Sequence, residues 1–230
     1  MTRQNRPLLL ERLVASLTIE NYVKAIYQIA ASQEWHAAST GKLAEALGVS
    51  PGTVTSMLKT LSESGLAEYI PYEGARLTDA GQTLALRVLR RHRLIELFLA
   101  RTLKMTWDEV HEEAENMEHA VSDLLIDRID AFLGYPATDP HGDPIPKADG
   151  TVAGSTGRSL SEVRVGKRFR VVRVIDQSPD FLRYLTETGL RLDATGTVVA
   201  NRIESGTITV EVGGQQTTLA HSIADRLLVT

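Results

Sequence analysis

Residues Ser39 to Leu61 read STGKLAEALGVSPGTVTSMLKTL, and this stretch decides the fold of the amino-terminal part of the chain. Ser39-Thr40-Gly41 can start a helix that runs through Lys42-Leu43-Ala44-Glu45-Ala46-Leu47 and stops at Gly48. A second helix begins with Ser50 as N-cap and Pro51 at the first helical position, and Gly65 ends it. Two short helices joined by a tight glycine turn form the helix-turn-helix pattern, whose second helix lies in the major groove and presents its amino-terminal residues to base edges. Here those residues are Ser50, Pro51, Thr53, Thr55 and Ser56, small enough for close approach, with hydroxyls for phosphates or bases and methyls for thymine; Lys59 offers a phosphate contact. Leu66 to Ile70 and Ala75 to Thr78 read as two strands around the turn signal Pro71-Tyr72-Glu73-Gly74, which makes the unit a winged helix-turn-helix. On these residues alone, a small helical domain that uses its hairpin for protein contacts stays open.

Upstream, Arg12 to Ala31 reads as a helix with an apolar stripe of Leu13, Leu17, Val23, Ile26, Tyr27 and Ile29, and Thr18 is a local N-cap candidate. Downstream, a long helix starts at Asp79 with Leu84, Leu86, Val88, Leu89, Leu94, Ile95, Leu97, Phe98 and Leu99 as its stripe. Its Arg87, Arg90, Arg91 and Arg93 read as a solvated face, with phosphate contact the alternative. After a break at Lys104-Met105-Thr106, a second helix spans Trp107 to Leu133 and turns Val110, Ala114, Met117, Val121 and Leu124 toward a core. His92 and Glu96 lie one turn apart on the first of these helices, and His111, Glu115, Glu118 and His119 recur at i, i+4, i+7 and i+8 on the second. Carboxylates beside a core need a compensating positive charge, because leaving water unpaired costs several kcal/mol each. A divalent cation is the simplest source, and the arginines of the preceding helix are the other.

The 230 residues suffice for one large domain or two small ones, with 43% apolar residues for cores. Cysteine is absent, so a metal would be held by imidazole and oxygen alone, which favours manganese, iron or zinc. Pro7-Leu8-Leu9-Leu10 is followed at once by Glu11 and Arg12, which is neither a signal core nor a membrane span and suggests a cytoplasmic protein. A net charge of −4 argues against a protein that coats nucleic acid non-specifically. Beyond Gly134 the proline-rich run Tyr135 to Pro146, continued by Ala148 to Gly157, reads as a linker; His141 and Asp143 are metal-ligand types, but a turn is preferred. Runs at 169–175, 195–200, 207–212 and 216–219, with a short helix from Asp180 to Thr188, point to a small SH3-like β-barrel. The expected architecture is mainly α with a small β domain: a winged helix-turn-helix over 1–79, a helical dimerisation and metal-binding domain over 80–147, a linker over 148–162 and the SH3-like domain over 163–230.

At Arg91-His92-Arg93-Leu94, at Val110 to Asp123 and at Asp139-Pro140-His141-Gly142-Asp143-Pro144-Ile145-Pro146, the chain resembles the diphtheria toxin repressor family of metal-dependent transcriptional regulators, related to iron-dependent repressors and manganese transport regulators. The resemblance runs from about Thr18 to the end in the family's domain order. It implies a homodimer that binds a palindromic operator in double-stranded DNA when loaded with divalent metal, controls metal-homeostasis genes and is not an enzyme. It also implies two metal sites per chain. Glu115, Glu118 and His119 fall on the first, with Asn21 where relatives have methionine or aspartate; His92, Glu96 and His111 fall on the second, with Gln177 and Asp180 as contributions of the SH3-like domain. Gln177 departs from the carboxylate of iron-type relatives, and Lys24 from the acidic residue of some manganese-specific ones. Glu115 stands where iron-responsive relatives have cysteine and manganese-responsive ones glutamate, so manganese(II) is the first expectation and iron(II) the next. Two rival readings remain: a metal-independent winged-helix protein with a salt-bridged cluster, and a metallohydrolase, for which a His-Glu-x-x-His motif is missing.

Overall fold

The computed structural model describes residues 5–154 and 157–230, with side chains from residue 17 onward. The chain forms two compact units, one running through Arg90 with Pro146–Gly150, the other comprising Arg91–Ile145 and Thr151–Thr230.

In the first unit, α1 (Asn5–Ser32) precedes α2 (Thr40–Leu47) and α3 (Pro51–Glu63). Leu13 of the expected stripe lies outside the described side chains, and Thr18 sits inside α1 rather than capping it. Ser39 caps α2 and Gly48 closes it in the left-handed region, while Ser50 Oγ accepts from Thr53 N at 3.2 Å to cap α3. Each cap satisfies a backbone group that its helix end would otherwise strand. Val23, Ile26, Leu43, Val54, Leu58 and Leu61 form the core that fixes α3 against its neighbours. The wing is an antiparallel pair, β1 (Ala67–Ile70) and β2 (Gly74–Leu77), with Ala38 bridging to Ala75.

The long helix is α4 (Asp79–Phe98), ending in a π-turn at Leu99–Leu103. Every residue from Val88 to Leu97 is buried, so Arg90, Arg91 and Arg93 are not the solvated face that their spacing suggested. Arg91 pairs with Asp123 at 2.7 Å.

In the second unit the single helix expected over Trp107 to Leu133 is two: α5 (Val110–Met117) and α6 (Asp123–Phe132). Ser122 breaks it, turning extended and accepting from Leu125 N at 3.3 Å as a fresh N-cap, with Asp123 in the acid-favouring first turn. The restart rotates the helical face, so Leu124 is 70% exposed and Ile126 and Ile129 are buried in its stead. The proline-rich run is not a linker over its first half: Asp139, His141, Asp143 and Ile145 are buried. Asp139 Oδ1 accepts from the backbone N–H of His141 (2.8 Å) and of Asp143 (2.9 Å), knotting 139–143 into a turn.

The remainder is a six-stranded antiparallel sheet in the order β3-β8-β4-β5-β6-β7. Its strands are β3 (Arg158–Ser159), β4 (Arg168–Val174), β5 (Thr195–Arg202), β6 (Thr207–Val212), β7 (Gln215–Ala220) and β8 (Leu227–Val229). Phe169, Val171, Val198, Ile208 and Val210 pack against Leu182 and Leu185 of α7 (Pro179–Glu187), and α8 (His221–Ala224) precedes β8. The knotted turn lies directly on β4. Gly142, at φ +88°, is so close that an added Cβ would meet Val172 O at 2.1 Å. Gly142→Ala therefore combines left-handed strain with a backbone clash and should cost about 2 kcal/mol or more. Gly134→Ala, at φ +78° with nothing within 4 Å, should cost only the strain, and thermal unfolding of the two variants measures the difference.

Candidate metal centre

All the imidazole and carboxylate groups that follow belong to the second unit. α4 presents His92 and Glu96 on one face, and α5 brings up His111 and Glu115, with Glu118 and His119 just beyond its end. His92 Nδ1 lies 2.6 Å from Glu118 Oε2, and its Nε2 is 3.0 Å from Glu96 Oε1 and 3.2 Å from His111 Nδ1. His111 Nδ1 is also 3.2 Å from Glu96 Oε1, Glu115 Oε1 is 3.8 Å from ring nitrogens of both histidines, and His119 Nε2 is 3.2 Å from Glu118 Oε1. Six residues predicted from spacing are thus brought together, with Glu96 at 1% and Glu118 at 0% exposure. In two triads, His92–Glu96–His111 and His92–Glu115–Glu118, the ligand atoms lie within 4.8 Å of one another, close enough to share an ion.

A third triad was not predicted. Glu96, Asp139 and His141 also approach within 4.8 Å, all of them buried. His141 Nε2 lies 2.8 Å from the Trp107 carbonyl, which can only accept, so Nε2 carries the hydrogen and the neutral ring keeps a lone pair on Nδ1. That Nδ1 has no hydrogen-bond partner, and neither has Glu96 Oε2 nor Asp139 Oδ2. Nδ1 is 3.8 Å from Glu96 Oε2 and 4.0 Å from Asp139 Oδ1. Electron-rich atoms gathered out of water with no donor between them are costly unless a proton or a cation joins them. The donor set, all oxygen and imidazole, fits a hard or borderline divalent ion.

The electrostatics agree. Burial pushes the Asp139 carboxyl well up, reinforced by the charges of Asp143 and Glu96 and only partly offset by Arg93. Burial also pushes Glu96 up, but hydrogen bonds from His111 and His92 and the nearby imidazoles outweigh it and hold its carboxyl well below the usual range. Asp139 has Arg93 Nε at 3.7 Å as its nearest cation. A divalent cation placed here would compete with protons for these groups, so its affinity would rise with pH.

The SH3-like domain does not meet the centre through the residues expected of it. Asp180 is on the outer first turn of α7, 97% exposed at its side chain and paired with Arg183 at 2.5 Å. Gln177 donates to Asp143 Oδ2 at 3.0 Å instead of entering the cluster. The junction is made by Asp143, which bonds Arg173 of β4 and lies 3.4 Å from Arg93 Nη2. Asn21 is partly buried on α1 of the other unit. On α3, Ser50, Pro51, Thr53, Ser56 and Lys59 are exposed, while the Thr55 hydroxyl turns back to donate to Pro51 O at 2.9 Å.

Known proteins share this layout. A model of the iron dependent repressor N-terminal DNA-binding domain matches residues 15–75, one of the iron dependent repressor metal-binding and dimerisation domain matches 78–147, and one of the FeoA domain matches 158–230. The iron-dependent repressor IdeR of Mycobacterium tuberculosis is 29% identical over 225 residues, covering 92% of this chain and 96% of that protein. The HTH-type transcriptional regulator MntR of Lysinibacillus sphaericus is 35% identical over 112 residues, 49% of this chain and 78% of that protein. A manganese-dependent transcriptional repressor solved in complex with manganese is 42% identical, with a TM-score of 0.82 over 92% of this chain and 99% of that one. The chain belongs to the iron-dependent repressor family. Members of this family are metal-dependent transcriptional regulators with manganese- and iron-dependent branches, and the chain is accordingly a regulator and not an enzyme. The FeoA domain of the family is the SH3-like sheet described above.

Asp139→Asn separates the two ways of satisfying the third triad. Its amide keeps the Oδ1 contacts and can donate to Glu96, so the metal-free variant should melt at or above the wild type. It should gain less from divalent metal, where a fully competent site at a hundred times its Kd contributes about 2.7 kcal/mol. Differential scanning calorimetry with and without manganese reads both effects.

Proposed function

We propose that the chain is a manganese-responsive repressor, with iron(II) the next metal, that binds a palindromic operator as a homodimer when its metal sites are loaded and controls metal-homeostasis genes. The observation that carries this reading is the sulfur-free cluster of eight imidazole and carboxylate residues, five of them buried, in which three atoms have no donor. Two sites per chain are proposed. Glu115, Glu118 and His119 form one, to which the family correspondence adds Asn21. Glu96 and His111 form the other, enlarged by Asp139 and His141, and His92 stands between the two sets. Gln177 and Asp180 are left outside the ligand set, since one is bonded to Asp143 and the other faces water. A bound divalent cation would supply positive charge beside Glu96 Oε2 and Asp139 Oδ2, which have no hydrogen-bond partner, and hold its ligands at fixed separations.

The residues of the chain do the rest. Arg91 ties α4 to the start of α6 through Asp123, and α6 with Met117 and Val121 leaves an apolar face. Phe98, Leu125 and Phe132 lie on that face, in the part of the chain matched by the dimerisation-domain model, so a second copy of the chain is its proposed occupant. Ser50, Thr53, Ser56 and Lys59 would meet the duplex from the exposed end of α3, Lys59 with a phosphate. No helix among the described residues is long and apolar enough to cross a membrane, and the cytoplasm is the proposed location. Regulation by metal requires the loaded ligand set to favour the DNA-competent dimer; a coupling of about 1 to 3 kcal/mol tightens operator binding roughly 5- to 150-fold.

The self-satisfied part of the cluster, His92 with Glu118 and Glu96, is the one feature that favours a metal-independent DNA-binding protein. Operator binding at fixed salt against a series of divalent ions decides between the two readings, because salt alone shifts phosphate-driven affinity. Manganese should tighten binding sharply, and Glu118→Ala should abolish that response while the dimer stays intact by sedimentation. Equal affinity with manganese and after chelation would sink the proposal. Phe132→Asp combined with Leu125→Asp should yield monomers and lose operator binding with metal present.

A further inference from the structure

Trp107 makes contacts in two directions that neither the metal cluster nor the DNA-binding surface explains. It lies in the short loop between the π-turn and α5, so no helix fixes its position. Its carbonyl accepts from His141 Nε2 at 2.8 Å, which dictates the tautomer that leaves the Nδ1 lone pair facing Glu96 and Asp139. Its indole N–H donates to Thr186 Oγ1 on α7 at 3.0 Å, its ring stacks on that of His141 with 6.1 Å between centroids, and it packs at the edge of the sheet's core. The neighbouring Asp108 reaches Arg183 on the same face of α7 at 3.4 Å. The loop is therefore held by α7. His141 is held by the same domain from behind, since its carbonyl accepts from Val174 N of β4 at 2.8 Å and Gly142 rests on Val172.

Resting on the metal-responsive reading above, we propose that Trp107 is a positioning residue for the Glu96–Asp139–His141 site and that its bond to Thr186 links loading of that site to seating of the SH3-like domain. The link is thermodynamic and runs both ways: a seated α7 aims the His141 lone pair, and a ligated His141 holds α7 down. Partners one step removed from a metal ligand set its orientation and basicity, and a backbone carbonyl accepting from the far imidazole nitrogen is one recurrent form.

The test uses the full chain and manganese alone as the probe. Thr186→Val keeps shape and removes the acceptor, Thr186→Ser restores it, and Trp107→Phe removes the indole N–H while leaving the carbonyl in place. By calorimetry, one of the manganese-binding steps should weaken roughly three- to tenfold in Thr186→Val and in Trp107→Phe, the worth of one part-buried hydrogen bond, and recover in Thr186→Ser. By hydrogen exchange, the amides of α7 should be slower in manganese-loaded than in metal-free wild type, and that difference should vanish in Thr186→Val. Wild-type manganese affinity together with metal-dependent protection of α7 in Thr186→Val overturns the link alone, and metal-dependent operator binding by the same variant would leave the functional reading standing. Failure of the wild type to bind manganese overturns both.

Discussion

The carboxylate of Glu96 is the constraint on which the second unit depends. At its depth, with 1% of its surface exposed, an unpaired charge costs several kcal/mol. Three imidazoles come within reach of it, and each is delivered by a different piece of chain: His92 from one turn earlier on α4, His111 from the first turn of α5, and His141 from the knotted turn. Displacing any of these elements removes one of its partners. A single glutamate thereby specifies how a helix, its successor and an irregular loop must meet, which apolar packing around Leu94, Ile95, Val110 and Ile126 alone would allow in several ways.

A second charge handles the junction with the sheet. Asp143 faces Arg93 of α4 on one side and Arg173 and Gln177 on the other. Ion pairs this buried add little net stability when complete and are expensive to break, so they act mainly to specify one arrangement. Glu96 and Asp143 sit at the two ends of a short path through Asp139 and His141, and the irregular stretch of the chain is where its electrostatics are concentrated.

Local chemistry explains what the sequence disclosed. The caps at Ser39 and Ser50, the stop at Gly48 and the hairpin turn are decided by residues within four positions of one another, and the winged helix was legible from them. His92, Glu96, His111, Glu115, Glu118 and His119 were legible because helical spacing puts them on defined faces. The restart at Ser122 was missed because apolar periodicity on both sides of it looks continuous, and Leu124 was placed inward as a result. Asp139 and His141 were hidden for a different reason. An aspartate, a proline and a glycine around a histidine are turn residues, and here the turn itself aims the ligands, so the more common reading masked the second one. Gln177 and Asp180 came from resemblance alone, with no local physics behind them, and the fold sends one to Asp143 and the other to solvent.

The absence of sulfur from the donor set has one more consequence. Thiolates climb an oxidation ladder, and a sensor that holds its metal through cysteine loses affinity whenever peroxide reaches the site, whatever the metal concentration. The family resemblance places Glu115 where iron-responsive relatives carry such a thiolate, and the donors proposed for this chain are carboxylates and imidazoles, which have no thiol to oxidise. A metal held by the proposed donors would therefore not be released through thiol oxidation.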